Sequence, residues 1–149
     1  MYRIVSFIVI FTIVSMMLHL HNQNSHYSAA NHEMMHQENQ IIIPSKHLAP
    51  TIIGMVKQDP GGTWYLEVHT ENFTFKPEKA GSEEITFNEG HAHIYLNGKK
   101  VNRLYGKFFH LDKLPSGTHN IKVTLNGNNH GVFVVNGEEI AHTETIKIP

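Results

Sequence analysis

Thirteen histidines stand in a chain of 149 residues that holds 12 Lys and Arg together and no Cys. Imidazole is the commonest metal ligand and the side chain that ordinarily titrates near neutrality. The excess of His therefore points to metal or proton chemistry carried without sulfur. The lack of Cys excludes disulfides, thiolate zinc sites, iron–sulfur clusters, cysteine nucleophiles and the blue-copper site, whose thiolate ligand is obligatory. With 13 Asp and Glu the formal charge is −1, and no basic run is present. Nucleic acid is thus not expected as a partner, because binding phosphates requires clustered Lys and Arg.

The most informative segment is Gly90-His91-Ala92-His93-Ile94-Tyr95-Leu96-Asn97-Gly98. In a strand, alternate side chains share a face, so Ala92, Ile94 and Leu96 form one apolar row. His91, His93 and Tyr95 then lie on the other face, with the two imidazoles about 7 Å apart along the strand. A His-x-His strand is half a metal site that needs ligands from neighbouring strands; otherwise it is a pair of solvated His on an exposed face. His110, after Tyr105-Gly106-Lys107-Phe108-Phe109, and His130, at the end of Asn126-Gly127-Asn128-Asn129, are the candidate partners. Both sit at segment ends, where a rigid sheet commonly presents ligands. His69 shares a face with Tyr65 and Glu67 and is either a surface residue or an outlying ligand. His119 alternates in phase with Ile121, Val123 and Leu125, which makes it a structural core His. His142 is in phase with both Ile140 and Glu144, so its facing stays open.

Short β-prone runs position these residues. Thr51 to Gln58 is one, closed by the turn Asp59-Pro60-Gly61-Gly62. Thr63 to His69 alternates, with Trp64, Leu66 and Val68 on one face. Asn-Gly pairs at 97–98, 126–127 and 136–137 are hairpin signals, since both turn positions tolerate positive φ. No helical period is sustained between residues 51 and 149. The pattern predicts an all-β domain over 51–149: an antiparallel sandwich of about seven or eight strands, immunoglobulin-like or cupredoxin-like.

The amino end reads differently. Residues 4 to 18 are an uncharged, mostly apolar run preceded by Arg3, which matches the apolar region of a secretory signal and is short for a full membrane span. Residues 1–30 are therefore expected to be a signal peptide or membrane anchor. Ser28-Ala29-Ala30 offers a cleavage site, and Arg3 is expected to stay cytoplasmic. The product would be exported, periplasmic or extracellular, and would touch a membrane only through this segment. Residues 31–50, with His32-Glu33-Met34-Met35-His36, are expected to form a flexible linker. Thioether beside imidazole suits copper, although the same residues also suit an ordinary polar linker.

Gly90-His91-Ala92-His93-Ile94-Tyr95, Arg103-Leu104-Tyr105-Gly106 with Phe109-His110-Leu111, and Leu114-Pro115-Ser116-Gly117-Thr118-His119 through Asn129-His130 resemble a family of small exported bacterial proteins. These carry a Gly-His-Ala-His strand and a Phe-His-Leu segment, and the resemblance covers about residues 63 to 148. In type the family is similar to the copper-handling immunoglobulin-like domains of the bacterial envelope. The resemblance implies His91, His93, His110 and His130 as the functional set. It departs at Lys107, where Pro is expected.

The leading expectation is a non-catalytic metal-binding module, with copper as the cofactor and zinc as second choice, serving storage, transfer or resistance beside an envelope metal-handling protein. Three or four imidazoles without thiolate suit Cu(II) or Zn(II), and the Irving–Williams order favours copper. Because ligating His must be neutral, affinity is expected to fall as the pH drops through about 6.5. A copper redox enzyme of the superoxide dismutase type is the first alternative, since that framework also uses a His-x-His strand. An adhesion or interaction sandwich with scattered His is the second. A His-brace monooxygenase would need His at the mature amino terminus, where cleavage after Ala30 leaves Asn31. No Gly-x-Ser-x-Gly supports a hydrolase.

Overall fold

The computed structural model describes residues 2–33 and 39–149, with side chains described for 2–19 and 39–149. The chain divides into two units, residues 1–37 and 38–149. The first is one helix, α1 (Tyr2–Glu33). Its segment Tyr2–His19 is long and apolar enough to cross a membrane, and none of it is buried. Eighteen helical residues span about 27 Å, close to the roughly 30 Å of a bilayer's hydrocarbon core. Such a helix can serve as a signal or an anchor. It continues through Ser28-Ala29-Ala30 and includes His32 and Glu33, whereas Met34, Met35 and His36 lie outside the described residues.

The second unit is an all-β domain of two sheets. Its strands are β1 (Gln40–Ile42), β2 (Thr51–Gln58), β3 (Trp64–Glu71), β4 (Thr74–Phe75), β5 (Glu89–Leu96), β6 (Lys99–Leu104), β7 (Phe108–Asp112), β8 (Gly117–Asn126), β9 (Val132–Val135), β10 (Glu138–Glu139) and β11 (Ala141–Ile148). Three of these, β1, β4 and β10, have only two or three residues. The remaining eight account for the expected seven or eight. The larger sheet runs β1-β9-β8-β5-β4, with β10 on β9, β11 on β8 and β6 on β5; the smaller is β2-β3-β7.

Two expectations are corrected. The larger sheet is mixed, because β1 pairs with β9 and β4 with β5 in parallel. The β domain also begins before residue 51, and the linker expected over 31–50 is folded in part. Ile41 and Ile43 are buried in the core, and Ile41 pairs with Phe133. Polar Asn and Gln dominate the flanking sequence and mask these two anchors, which are separated by one residue, as a half-buried strand requires.

The core is one cluster drawn from both sheets. Ile52, Leu66, Val68 and Leu111 of the smaller sheet pack with Ala92, Ile94, Ile121, Val123, Leu125 and Phe133 of the larger. This is the face anticipated from the alternation in β3, β5 and β8. Asn97-Gly98 and Asn136-Gly137 make the expected tight hairpins, with φ of 52° and 81° in the first and 54° and 85° in the second. Asn126-Gly127 does not. Asn126 ends β8 fully buried, and the chain closes a five-residue loop instead, with Gly127 N–H donating to the Gly131 carbonyl at 2.8 Å.

Candidate metal centre

Both faces of β5 are buried. Ala92 and Ile94 face the core, and His91 and His93, on the opposite face, are also at 0% exposure. Neighbouring strands bring the polar cover. Across the ladder His91 stands opposite Asn126 of β8, and His93 opposite Thr124 of β8 and Arg103 of β6. Thr124 and Asn126 alternate out of phase with Ile121, Val123 and Leu125, so they share the histidines' face. Gly90 permits this tight fit, since a Cβ there would stand 2.0 Å from the Asn126 carbonyl oxygen.

The two imidazoles lean together and meet a third from the loop after β8. His91 Nε2 lies 2.9 Å from His93 Nε2 and 3.1 Å from His130 Nδ1. One ligand atom from each of the three lies within 4.8 Å of the other two. They are close enough to bind one metal ion. Nitrogens bonded at 2.0–2.1 Å to one ion stand about 2.9 Å apart at a right angle and about 3.3 Å apart at the tetrahedral angle, so the observed spacings fit shared coordination. Hydrogen bonding fits less well, because a neutral imidazole nitrogen carries one proton or one lone pair, and His91 Nε2 faces two nitrogens. A cation would use a lone pair from each ring. The far nitrogen of His91, Nδ1, is buried without a hydrogen-bond partner among the described residues.

The loop that carries His130 is held from below and behind. Thr124 Oγ1 donates to Asn126 Oδ1 at 2.7 Å, and Asn126 Nδ2 donates to the His130 carbonyl at 3.1 Å. A Cβ on Gly127 or Gly131 would meet Ile41 side-chain atoms at 2.6 and 2.7 Å, so β1 packs directly against the loop backbone. His130 itself has φ of +69°, an uncommon conformation for a non-glycine residue that marks a constrained position. Tyr105 covers His91, with ring centroids 5.3 Å apart at 34°.

Two basic residues of β6, Lys100 and Arg103, lie beside His93. Lys100 Nζ lies 2.9 Å from His93 Nδ1 and 3.1 Å from Nε2. A β-bulge between β5 and β6 directs it there, by setting Lys100 rather than Val101 opposite Tyr95. Burial holds His91 down to about pKa 3, reinforced by His93, His130, Arg103 and Lys100. His91 is therefore neutral, as a ligand must be, well below the pH at which an exposed His charges. Among the described residues the cluster consists of the three His alone.

The fourth expected ligand is not part of this group. His110 lies on β7 in the smaller sheet, exposed, opposite Tyr65 and 3.3 Å from Asp112 Oδ1. Its place after Phe108-Phe109 suggested proximity, but β7 pairs with β3 and not with β5 or β6. His69 is a surface residue 3.1 Å from Glu67, whose carboxyl is held down to about pKa 2 by hydrogen bonds from Lys57 and Lys107. His119 is buried as expected, its Nε2 donating to the Pro115 carbonyl at 2.8 Å. His142 is half-buried opposite Val123.

Sequence reasoning missed Lys100, Arg103, Tyr105, Thr124 and Asn126. The last two had a readable signal, being the polar residues out of phase with β8's apolar row. Lys100 had none, since a bulge sets its facing. No protein family, curated protein or solved structure matches the chain.

Proposed function

We propose that this protein is an exported metal-binding module of the bacterial envelope, with copper as its ion and zinc as the competitor. Its role is storage, transfer or resistance, in exchange with an envelope metal-handling protein, on an immunoglobulin-like or cupredoxin-like sandwich. The carrying observation is the convergence of His91 Nε2 on His93 Nε2 at 2.9 Å and on His130 Nδ1 at 3.1 Å. Imidazoles without thiolate suit divalent late transition metals, and copper leads that series. The near right-angle spacing is that of neighbouring ligands in a tetragonal copper site. The apolar helix α1 supports export or anchoring. Scattered imidazoles, expected of an adhesion sandwich, are not what these three residues form.

A copper redox enzyme is the second reading. It is favoured by the ligand number, since three protein ligands leave a coordination position open, as catalytic sites do.

Calorimetric titration of the full-length chain in detergent, purified without a His-tag, tests the proposal. One tight equivalent of copper is expected. It should be lost in His93→Ala and in His130→Ala and kept in His110→Ala. No tight equivalent, or one that survives His91→Ala/His93→Ala, overturns it. A superoxide dismutation assay on the loaded chain separates carrier from enzyme.

A further inference from the structure

The β domain holds Asn-Gly pairs at 97–98, 126–127 and 136–137, and the fold ties them down to very different degrees. Asn is a thermolabile residue, most of all before Gly, whose backbone nitrogen has no Cβ to shield it. Loss of the side-chain amide requires that nitrogen to reach the Asn Cγ. Asn126 is fully buried, its Oδ1 accepting from Thr124 Oγ1 and its Nδ2 donating to the His130 carbonyl. The Gly127 N–H beside it donates to the Gly131 carbonyl at 2.8 Å. Asn97 and Asn136 both lie in tight turns, with φ of 52° and 54°. That left-handed conformation points the side chain away from the next nitrogen, so the turn must open before reaction. At Asn97 opening is opposed twice: its N–H donates to the Asn120 carbonyl at 2.8 Å, and its Oδ1 accepts from the Asn120 N–H at 2.9 Å. The strands that meet there, β5 and β6, have eight and six residues. Asn136 is exposed, and its carboxamide makes no hydrogen bond among the described residues. Its hairpin returns through β10, only two exposed residues long, and a Cβ on Gly137 would meet nothing within 4 Å. Short, exposed pairing of this kind opens locally at little cost.

We propose that Asn136 is a site of spontaneous covalent modification, the Asn-Gly pair of the three that the folded chain leaves open to deamidation. The Gly137 nitrogen, giving its proton to a water or hydroxide base, attacks the Asn136 Cγ. A bond from nitrogen to Cγ forms, the bond from Cγ to Nδ2 breaks, and ammonia leaves, closing a five-membered succinimide. Water then adds to one of the two ring carbonyls and opens the ring to Asp or to isoaspartate. One water is consumed and one ammonia released, with no change of oxidation state. The product carries a new carboxylate beside Glu138 and Glu139, and the isoaspartyl form also lengthens the main chain within the turn. Both changes oppose the pairing of β10 with Val134 and Val135 of β9, the first by like-charge repulsion.

Peptide mapping tests this without any metal. The full-length chain in detergent is held at mildly alkaline pH, in parallel with the same chain in guanidinium chloride, and samples are digested with trypsin over time. Cleavage after Lys residues places Asn97 on residues 80–99 and the other two on 123–147, where fragment masses separate Asn126 from Asn136. The amide-to-acid mass change reports conversion, and labelling by an isoaspartyl methyltransferase reports the isomer. Each rate is read as its ratio to the rate in denaturant, which removes the effect of local sequence. The ratio at Asn136 should exceed that at Asn97 by about tenfold or more, as two additional hydrogen bonds at Asn97 imply, and Asn126 should be slowest. Folding that slows Asn136 as much as Asn97, or a folded chain in which Asn97 or Asn126 keeps pace with Asn136, overturns the proposal.

Discussion

Gly90 and Asn126 approach so closely that any side chain at residue 90 would collide with the strand beside it: a Cβ would stand 2.0 Å from the Asn126 carbonyl oxygen and 3.0 Å from its carbon. The contact is backbone against backbone, so no rotamer change relieves it. It sets the distance between β5 and β8 next to His91 and before the loop that carries His130.

Gly90→Ala should therefore destabilise the domain by about 1–3 kcal/mol, the range for overpacking, and weaken copper binding with it. Gly106→Ala is the control, since nothing lies within 4 Å of its added Cβ; it should be near neutral. Urea denaturation followed by the fluorescence of Trp64, the chain's one Trp, measures both.

The depressed pKa of His91 gives a pH dependence with a definite sign. Its folded value is about 3 against 6.5 for the unfolded chain, so between these limits the unfolded state binds more protons. Stability should fall as the pH drops from about 6.5 toward 3, by at most about 1.4 kcal/mol per pH unit from this residue. Below about 3 the slope from His91 ends. His91→Phe should flatten the profile of the metal-free chain, as measured by urea midpoints at pH 7, 6, 5 and 4. The same shift alters the sequence-based expectation that copper affinity falls through pH 6.5, because His91 should remain an available ligand at pH 5.

Ile41 couples β1 to the loop that carries His130. Ile41→Ala removes a side chain at 6% exposure and should cost about 2–4 kcal/mol. Because Ile41 atoms also back Gly127 and Gly131, copper affinity should fall even where the domain stays folded. Ile42→Ala, at 69% exposure, should change neither denaturation midpoint nor copper titration.

The part of the architecture that follows from two-residue alternation was legible. Trp64, Leu66 and Val68 in β3 and Ile121, Val123 and Leu125 in β8 declared their buried face, and the Asn-Gly pairs at 97 and 136 declared their turns. His91 and His93 were visible on one face of β5, and His130 as a loop partner. What escaped depends on long-range pairing. β1 was hidden because three residues carry too little pattern, and its parallel pairing with β9 has no local signal. His110 was drawn in by nearness in sequence, although pairing with β3 places β7 in the other sheet. The Asn126-Gly127 pair failed as a turn because Asn126 is drawn into the buried network with Thr124 and His130.

The register between β1 and β9 sets an order of events during synthesis. Ile41 meets Phe133, so the first strand of the domain waits for the ninth, and His91 and His93 wait for a third ligand in the last fifth of the chain. Contacts so distant along the polymer form late and slowly. A nascent chain, ribosome-bound or part-way through a translocation channel, therefore has no assembled trio with which to capture an ion. If the trio takes up an ion as proposed, uptake follows folding and does not drive it. Refolding monitored by Trp64 fluorescence should accordingly proceed at the same rate with and without copper, and a metal-accelerated folding phase would contradict this ordering.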